Sequence, residues 1–291
     1  MISIAIQGGA MRSIYCVGAV RAIVEAGYGH QVKTIHAASA GCVSAAVLAN
    51  QVSDENAPSV AEVTDILLSR LASTRFINQR RLSKIVDVDY LVETMQDVTS
   101  ISCATLGGQG IVFEVAATDA NTASAEYFDV AKYKNDADLV LALRATMAIP
   151  VLYPIKVNIG GRKYVDGGIS DPLPVLRAFR HNPDVVIAIS SVPSLTLAEV
   201  ADGKEARIIR FAPGISSPVR NLMLTRNPLA GAVDSLMELD SFMGAQVVRI
   251  SPSDSSLVCS RVETDELKLR KLEALGYSDA VKALSRLQVD L

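Results

Sequence analysis

Three short stretches carry residues whose type and spacing could do acyl-transfer chemistry. The first runs Thr34-Ile35-His36-Ala37-Ala38-Ser39-Ala40-Gly41-Cys42. It reads as a buried strand, a tight turn at Ser39 and a helix of small residues. A serine on a sharp strand-to-helix turn stands proud of the sheet with its hydroxyl exposed, the geometry of a nucleophile elbow. Ala37 and Gly41 flank the point where strand and helix backbones nearly touch, so neither can be bulky. The usual elbow is Gly-x-Ser-x-Gly, and here Ala37 stands in the first glycine position. Taken alone, Ser39 reads equally well as a helix N-cap. The second stretch is Val165-Asp166-Gly167-Gly168, an aspartate at a strand end followed by two glycines that let backbone pass close by. Its plainer reading is an Asx-turn. The third is Gln7-Gly8-Gly9-Ala10-Met11-Arg12-Ser13. It exposes several backbone N–H groups at the positive end of a helix, which suits an anion. Either a bound phosphate or the oxyanion of an acyl-transfer intermediate fits, and a merely glycine-rich turn is the plain alternative. The loop has no Gly-Lys-Ser/Thr and no Gly-x-Gly-x-x-Gly, which excludes a P-loop and a dinucleotide fingerprint.

The elements that must position these residues follow from periodicity. Ile2–Ile6 alternates and is β-rich, and Ile14 to Ala26 has helical spacing with Val17, Val20, Ile23 and Val24 on one face and Gly27 as its C-cap. Thr34 to Ala38 is the next strand. Strand, helix, strand, helix predicts a right-handed βαβ unit with a parallel pair. The Gly8–Ser13 loop and Ser39 then share the C-terminal edge of the sheet, where ligands of open α/β sheets bind. Further on, the spacing predicts helices over 59–71, 89–98, 136–146 and from Pro172 to about Arg180. Strands are predicted over 111–119, 126–128, 154–159, 162–165, 184–190, 207–211 and 247–250. A helical pair, 266–275 capped by Gly276 and 278–287, closes the chain. Arg75 to Arg81 reads as a solvated connection. No linker divides the chain, so one α/β domain over 1–291 is expected, a three-layer sandwich around a mostly parallel central sheet.

Composition bounds the function class. The chain has 291 residues, 49% hydrophobic and 20% charged, enough for a sizeable core. The net charge of −3 offers no basic footprint for nucleic acid. No apolar run reaches the length of a membrane span, and the N-terminus shows no signal-peptide pattern. Cys16, Cys42, Cys103 and Cys259 form no CxxC pair and read as buried thiols in a reducing compartment, so a cytoplasmic location is expected. Three histidines with no ligand-like spacing imply no zinc site.

With all three stretches in view, the sequence resembles the patatin-like phospholipases of the bacterial type. That family's oxyanion loop, Gly-Gly-Gly-x-Arg/Lys-Gly, falls on Gly8-Gly9-Ala10-Met11-Arg12-Ser13. Its elbow serine falls on Ser39, and its Asp-Gly-Gly/Ala motif on Asp166-Gly167-Gly168. Arg144-Ala145-Thr146-Met147-Ala148-Ile149-Pro150 looks like a fourth family segment, Ala-Ser-x-Ala-x-Pro. The resemblance spans roughly residues 2–171. Ala10, Ser13 and Ala37 depart from it by replacing glycines, and Ala10 matters if its position needs φ > 0.

The resemblance implies a Ser-Asp dyad of Ser39 and Asp166. Gly8, Gly9 and Ala10 would hold the oxyanion, with Met11 and Arg12 completing the loop, and Ala37, Gly41, Gly167 and Gly168 would support elbow and dyad. Arg12 would either assist anion binding or fix the loop. No cofactor is implied. The implied substrate is a phospholipid or other acyl ester, with peripheral membrane contact compatible with it; the sequence says nothing of oligomeric state. His181 and His30 fall at the opposite edge of the sheet and His36 inside a strand, so Asp166 is the expected partner of Ser39. A free aspartate titrates near ~3.9 and is a poor base at neutral pH, so the site must raise it by burial or hold it in close contact. Met147, Ile149, Val151, Leu152 and Tyr153 could line an acyl channel or simply pack the core. Two alternatives remain at this level: a lipid-binding pseudoenzyme, and a phosphate- or nucleotide-binding α/β protein.

Overall fold

The computed structural model describes residues 1–54, 56–81, 83–106, 110–193, 203–225 and 227–287. In chain order its strands are β1 (Ile2–Ile6), β2 (Val32–Ala38), β3 (Val112–Asp119), β4 (Ala125–Asp129), β5 (Val157–Ile159), β6 (Arg162–Asp166), β7 (Val185–Ile189), β8 (Ser241–Phe242) and β9 (Ala245–Ile250). They form one sheet in the order β5-β6-β3-β2-β1-β7-β9-β8, with β4 also on β3. The five central strands, β3, β2, β1, β7 and β9, are mutually parallel. The outer strands β4, β5, β6 and β8 run antiparallel.

The helices are α1 (Ile14–Glu25), α2 (Gly41–Ser53), α3 (Val60–Leu71), α4 (Val88–Thr99), α5 (Cys103–Leu106), α6 (Asp136–Thr146), α7 (Val175–Ala178), α8 (Gly203–Phe211), α9 (Ser217–Leu224), α10 (Pro228–Leu236) and α11 (Glu266–Leu284). They cover both faces, because every residue of β1 and β7 is buried and neither face can meet water. Alternation sorts the side chains. Ile2, Ile4, Ile6, Ile187 and Ile189 join α1, α2, α3, α4 and α11 in one core. Ala5, Val186 and Ala188 turn to the other, with Leu173, Val175, Val233 and Leu236.

Several expectations fail. Residues 207–211 are not a strand but the second half of α8. Their apolar run Ile208-Ile209 is ambiguous between periods, and only Ile209 is buried. The closing helical pair is one helix, α11. Gly276 does not cap it. A Cβ there would lie 2.0 Å from the Tyr15 carbonyl oxygen, and one on Gly18 would lie 2.0 Å from that of Glu273. The two glycines let α1 and α11 approach backbone to backbone. Tyr15 then donates to Asp279 (3.1 Å) and Arg21 reaches Glu273 (3.1 Å). The 75–81 connection is not simply solvated: Phe76 and Ile77 are buried, and Ile77 bridges Val86. Cys16, Cys42 and Cys259 are buried free thiols, whereas Cys103 is half-exposed. No described helix is long and apolar enough to cross a membrane.

Candidate active site

β1 and β2 are neighbouring parallel strands, so the loop after Ile6 and the turn after Ala38 emerge side by side. Ser39 sits on that turn with φ +54°, a left-handed conformation that costs a serine on the order of 1–2 kcal/mol. The turn is held from both sides. The Ser39 N–H donates to Thr146 Oγ1 (2.9 Å), and Cys42 N–H donates back to the Ser39 carbonyl (3.1 Å). Gly41 opens α2 so near β1 that a Cβ would lie 2.6 Å from the Gln7 carbonyl oxygen. Ala37 lies in extended backbone inside β2, fully buried, where alanine fits.

Asp166 arrives from the far side of β3. β6 pairs antiparallel with β3 only at its end, Ala117 opposite Asp166. Gly167 passes so close that a Cβ would lie 2.0 Å from the Ala116 carbonyl oxygen. Thr118 donates to the Asp166 carbonyl (2.7 Å), and Asp166 N–H donates to Ala148 (3.0 Å). So fixed, the carboxylate accepts the Ser39 hydroxyl on Oδ2 at 2.6 Å and the Gly168 N–H on Oδ1 at 2.7 Å. The side chain is buried, 4% exposed. Burial raises its pKa to about 6; the bonds from Ser39 and Gly168 and the charge of Arg261 pull the other way but do not outweigh it.

The Gly8–Ser13 loop lies against this pair. A Cβ on Gly8 would stand 2.4 Å from the Ser39 Cβ. Ser190 and Ser191, directly after β7, brace it through Gln7. Gln7 Oε1 accepts from Ser190 Oγ (2.7 Å) and Ser191 N–H (2.8 Å), and Ser191 Oγ donates to the Gly8 carbonyl. The loop's donors divide. Met11 N–H is spent on the Arg261 carbonyl (3.2 Å) and Arg12 N–H on that of Gly9 (3.1 Å), so these two residues expected in the oxyanion loop have no N–H left for an anion. No described residue accepts from the N–H of Gly8, Gly9 or Ala10. Arg12 Nε donates to the Cys259 carbonyl (2.9 Å), which ties the loop to residues 259–261. Ala10 has φ +51°, so the replaced glycine does fall where the left-handed region is needed. Ser13, at φ −63°, carries no such cost.

Beside Ser39 opens an apolar cleft. Met11, Ile14 and Val43 form its floor and Met147 and Ile149 one wall. The wall continues with Leu67, Leu68 and Leu71 of α3 and with Phe76, Val86 and Leu91. Sequence reasoning missed that continuation, because nothing local links residues 67–91 to residue 39. Val151 and Tyr153 line a separate cavity with Val165 and Val219, and do not face Ser39.

The histidines lie elsewhere. His36 is fully buried and its Nδ1 meets Glu114 Oε2 at 3.0 Å. It stacks on His181 with ring centroids 5.5 Å apart. Ligand atoms of His36, Glu114 and His181 come within 4.8 Å of one another, a grouping that sequence spacing did not reveal. The Arg177 guanidinium already clamps both Glu114 oxygens, with Nε at 2.9 Å from Oε2. That cation neutralises the carboxylate a metal ion would need. Burial lowers the His36 pKa, so its imidazole is neutral.

A patatin-like phospholipase family model matches residues 4–179, a span that contains Ser39, Asp166 and the glycine loop. The chain belongs to the patatin-like phospholipase family. Protein YjjU of Escherichia coli is 28% identical over 66% of this chain and 52% of its own length. The NTE family protein Rv1063c of Mycobacterium tuberculosis is 27% identical over 65% of this chain and 48% of its own. The matches thus span about half the length of these curated relatives. VipD from Legionella pneumophila superposes on 98% of this chain and 66% of its own with a TM-score of 0.48 and 11% identity.

Proposed function

We propose that this patatin-like chain is a serine acyl hydrolase that cleaves carboxylic esters of phospholipids or other acyl lipids. The observation that carries the reading is the 2.6 Å bond from the Ser39 hydroxyl to a buried carboxylate. In the proposed reaction Ser39 Oγ attacks the ester carbonyl as Asp166 Oδ2 takes its proton. The N–H groups of Gly8, Gly9 and Ala10 receive the oxyanion, each such donor being worth about 3 kcal/mol in the transition state. The carbonyl re-forms as the alcohol leaves with the proton from Asp166. Water, deprotonated by the same carboxylate, then attacks the acyl-enzyme, and Ser39 Oγ leaves with that proton as the acid is released. An aspartate held at about 6 is ionised at neutral pH yet basic enough to accept a proton there. The apolar cleft supports an acyl chain as the bound group, since apart from Ser13, Ser39 and Asp166 its described lining residues are all apolar.

The test is hydrolysis of a soluble acyl ester and of phosphatidylcholine by the purified chain, with Ser39→Ala and Asp166→Asn alongside. Turnover of both esters that falls at least ~10⁴-fold in each variant is expected. Turnover retained by Ser39→Ala, or none by the folded wild-type chain, would overturn the reading.

A further inference from the structure

Beyond the catalytic pair, α8 carries a face that the proposed chemistry does not use. On α8, residues 204, 207, 208 and 211 follow helical i, i+3, i+4, i+7 spacing and share one side. They are Lys204, Arg207, Ile208 and Phe211, all exposed, with Ile208 at 53% and Phe211 at 74%. The opposite side buries Ile209. Two large apolar side chains standing in water beside unpaired cations are what a structural surface avoids. None of Lys204, Arg207 and Arg210 has an ion-pair partner among the described residues.

The helix is held firmly and near the site. The Arg220 guanidinium, from α9, donates to the Arg210 (2.7 Å), Ala212 (2.9 Å) and Ile215 (3.0 Å) carbonyls at its C-terminal end. Val219 of the same helix α9 packs on Ala120 and Val165, next to Asp166. Glu205 of α8 pairs with Arg261 (2.9 Å), whose carbonyl accepts the Met11 N–H of the glycine loop. α8 is thus linked through Arg261 to the glycine loop beside Ser39.

We infer that the outer face of α8 seats this protein on an anionic phospholipid surface. Charge decides the occupant. The whole chain carries −3 and is repelled by such a surface, yet on α8 three cations surround the apolar pair and the one carboxylate is turned to Arg261. Apolar tips flanked by lysine and arginine insert at the headgroup boundary while the cations meet lipid phosphates. The biological sense of this docking rests on the lipid-hydrolase reading; its measurement does not.

The experiment is co-sedimentation of the full chain with phosphatidylcholine vesicles, with and without phosphatidylglycerol, at low and high salt. The variants are Ile208→Ser/Phe211→Ser, Lys204→Gln/Arg207→Gln and, on the β8–β9 turn at the other edge of the sheet, Met243→Ser. Soluble-ester turnover and melting curves accompany each one. Binding should require phosphatidylglycerol and weaken with salt. Each cation removed should lower it about 5-fold at low salt. The apolar variant should bind more weakly still, Met243→Ser should bind as wild type, and soluble-ester turnover should stay unchanged throughout. Equal binding by all variants, equal binding to pure phosphatidylcholine, or no binding by wild type would overturn the inference. So would a self-association of the chain that the α8 variants abolish without any vesicle binding. Soluble-ester turnover in any of these cases would leave the hydrolase reading standing.

Discussion

Replacing Asp166 by asparagine should abolish turnover and at the same time stabilise the protein at neutral pH. The carboxyl is held at about 6 by burial, against an ordinary value of 3.8. Between those values the native chain keeps a proton that the unfolded chain has released. Stability therefore falls as pH rises through that window, and the full cost is present above it. Two pH units correspond to about 3 kcal/mol. Asparagine escapes that cost but must turn its amide toward Ser39 Oγ and reverse that hydrogen bond, a loss of about 1 kcal/mol. The net gain is about 2 kcal/mol at pH values above ~7, or roughly 4 °C in Tm. Urea melts of both proteins across a pH series measure it. The gap should be small or reversed below about pH 4 and grow to its full size above about pH 7. A variant less stable than wild type at about pH 8, or a gap independent of pH, would refute the assignment of Asp166 as a destabilised, desolvated carboxylate.

Three further perturbations probe the surroundings. Gly8→Ala would put a Cβ 2.4 Å from the Ser39 Cβ and 2.7 Å from the Ala38 carbonyl oxygen. Soluble-ester kcat/KM should fall at least ~100-fold, with a loss of about 2 kcal/mol in urea melts. Ala10→Gly relieves a left-handed alanine worth about 1 kcal/mol and loses a comparable amount through the looser unfolded chain, so stability in the same melts should change by less than ~1 kcal/mol while activity holds or rises. Glu114, held at about 2 although its burial pushes the other way, owes that depression to His36 and Arg177. Its stabilising contribution is complete above its ordinary value of 4.5 and is lost as pH falls through about 2. Glu114→Gln should therefore cost about 3 kcal/mol at neutral pH and leave a flatter acid limb in a plot of stability against pH.

The fold class was legible because the central strands write themselves as short apolar runs, most of them closed by glycine or serine, as at Gly8, Ser39, Ser190 and Ser251. The match of the family model to residues 4–179 agrees with the resemblance carried by the four motifs. What failed did so for local reasons. Arg207-Ile208-Ile209-Arg210-Phe211 satisfies a strand as well as a helix, and only the burial of Ile209 alone separates them. Gly276 looks like a stop, but its meaning lies 261 residues away, in the Tyr15 carbonyl it must admit. The site divides in the same way. Ser39, Asp166 and the glycine loop announce themselves by type and spacing. The support Thr118, the Arg12 bond to Cys259, and the α3 wall of the cleft are products of topology, invisible to any window along the chain, whereas Thr146 lay within the fourth motif without its bond to Ser39 being foreseen. Ser190-Ser191, polar residues directly after a buried parallel strand, were the one available signal for the brace on the loop.

The most direct test of the central claim is the rate at which a fluorophosphonate labels Ser39, followed by mass spectrometry as a function of pH. The account predicts an adduct on Ser39 whose rate rises with pH through about 6 and levels off above it, as Asp166 ionises. The rate should collapse at every pH in Asp166→Asn. A folded wild-type chain that takes no label, or an adduct that forms equally fast without the Asp166 carboxylate, would contradict it.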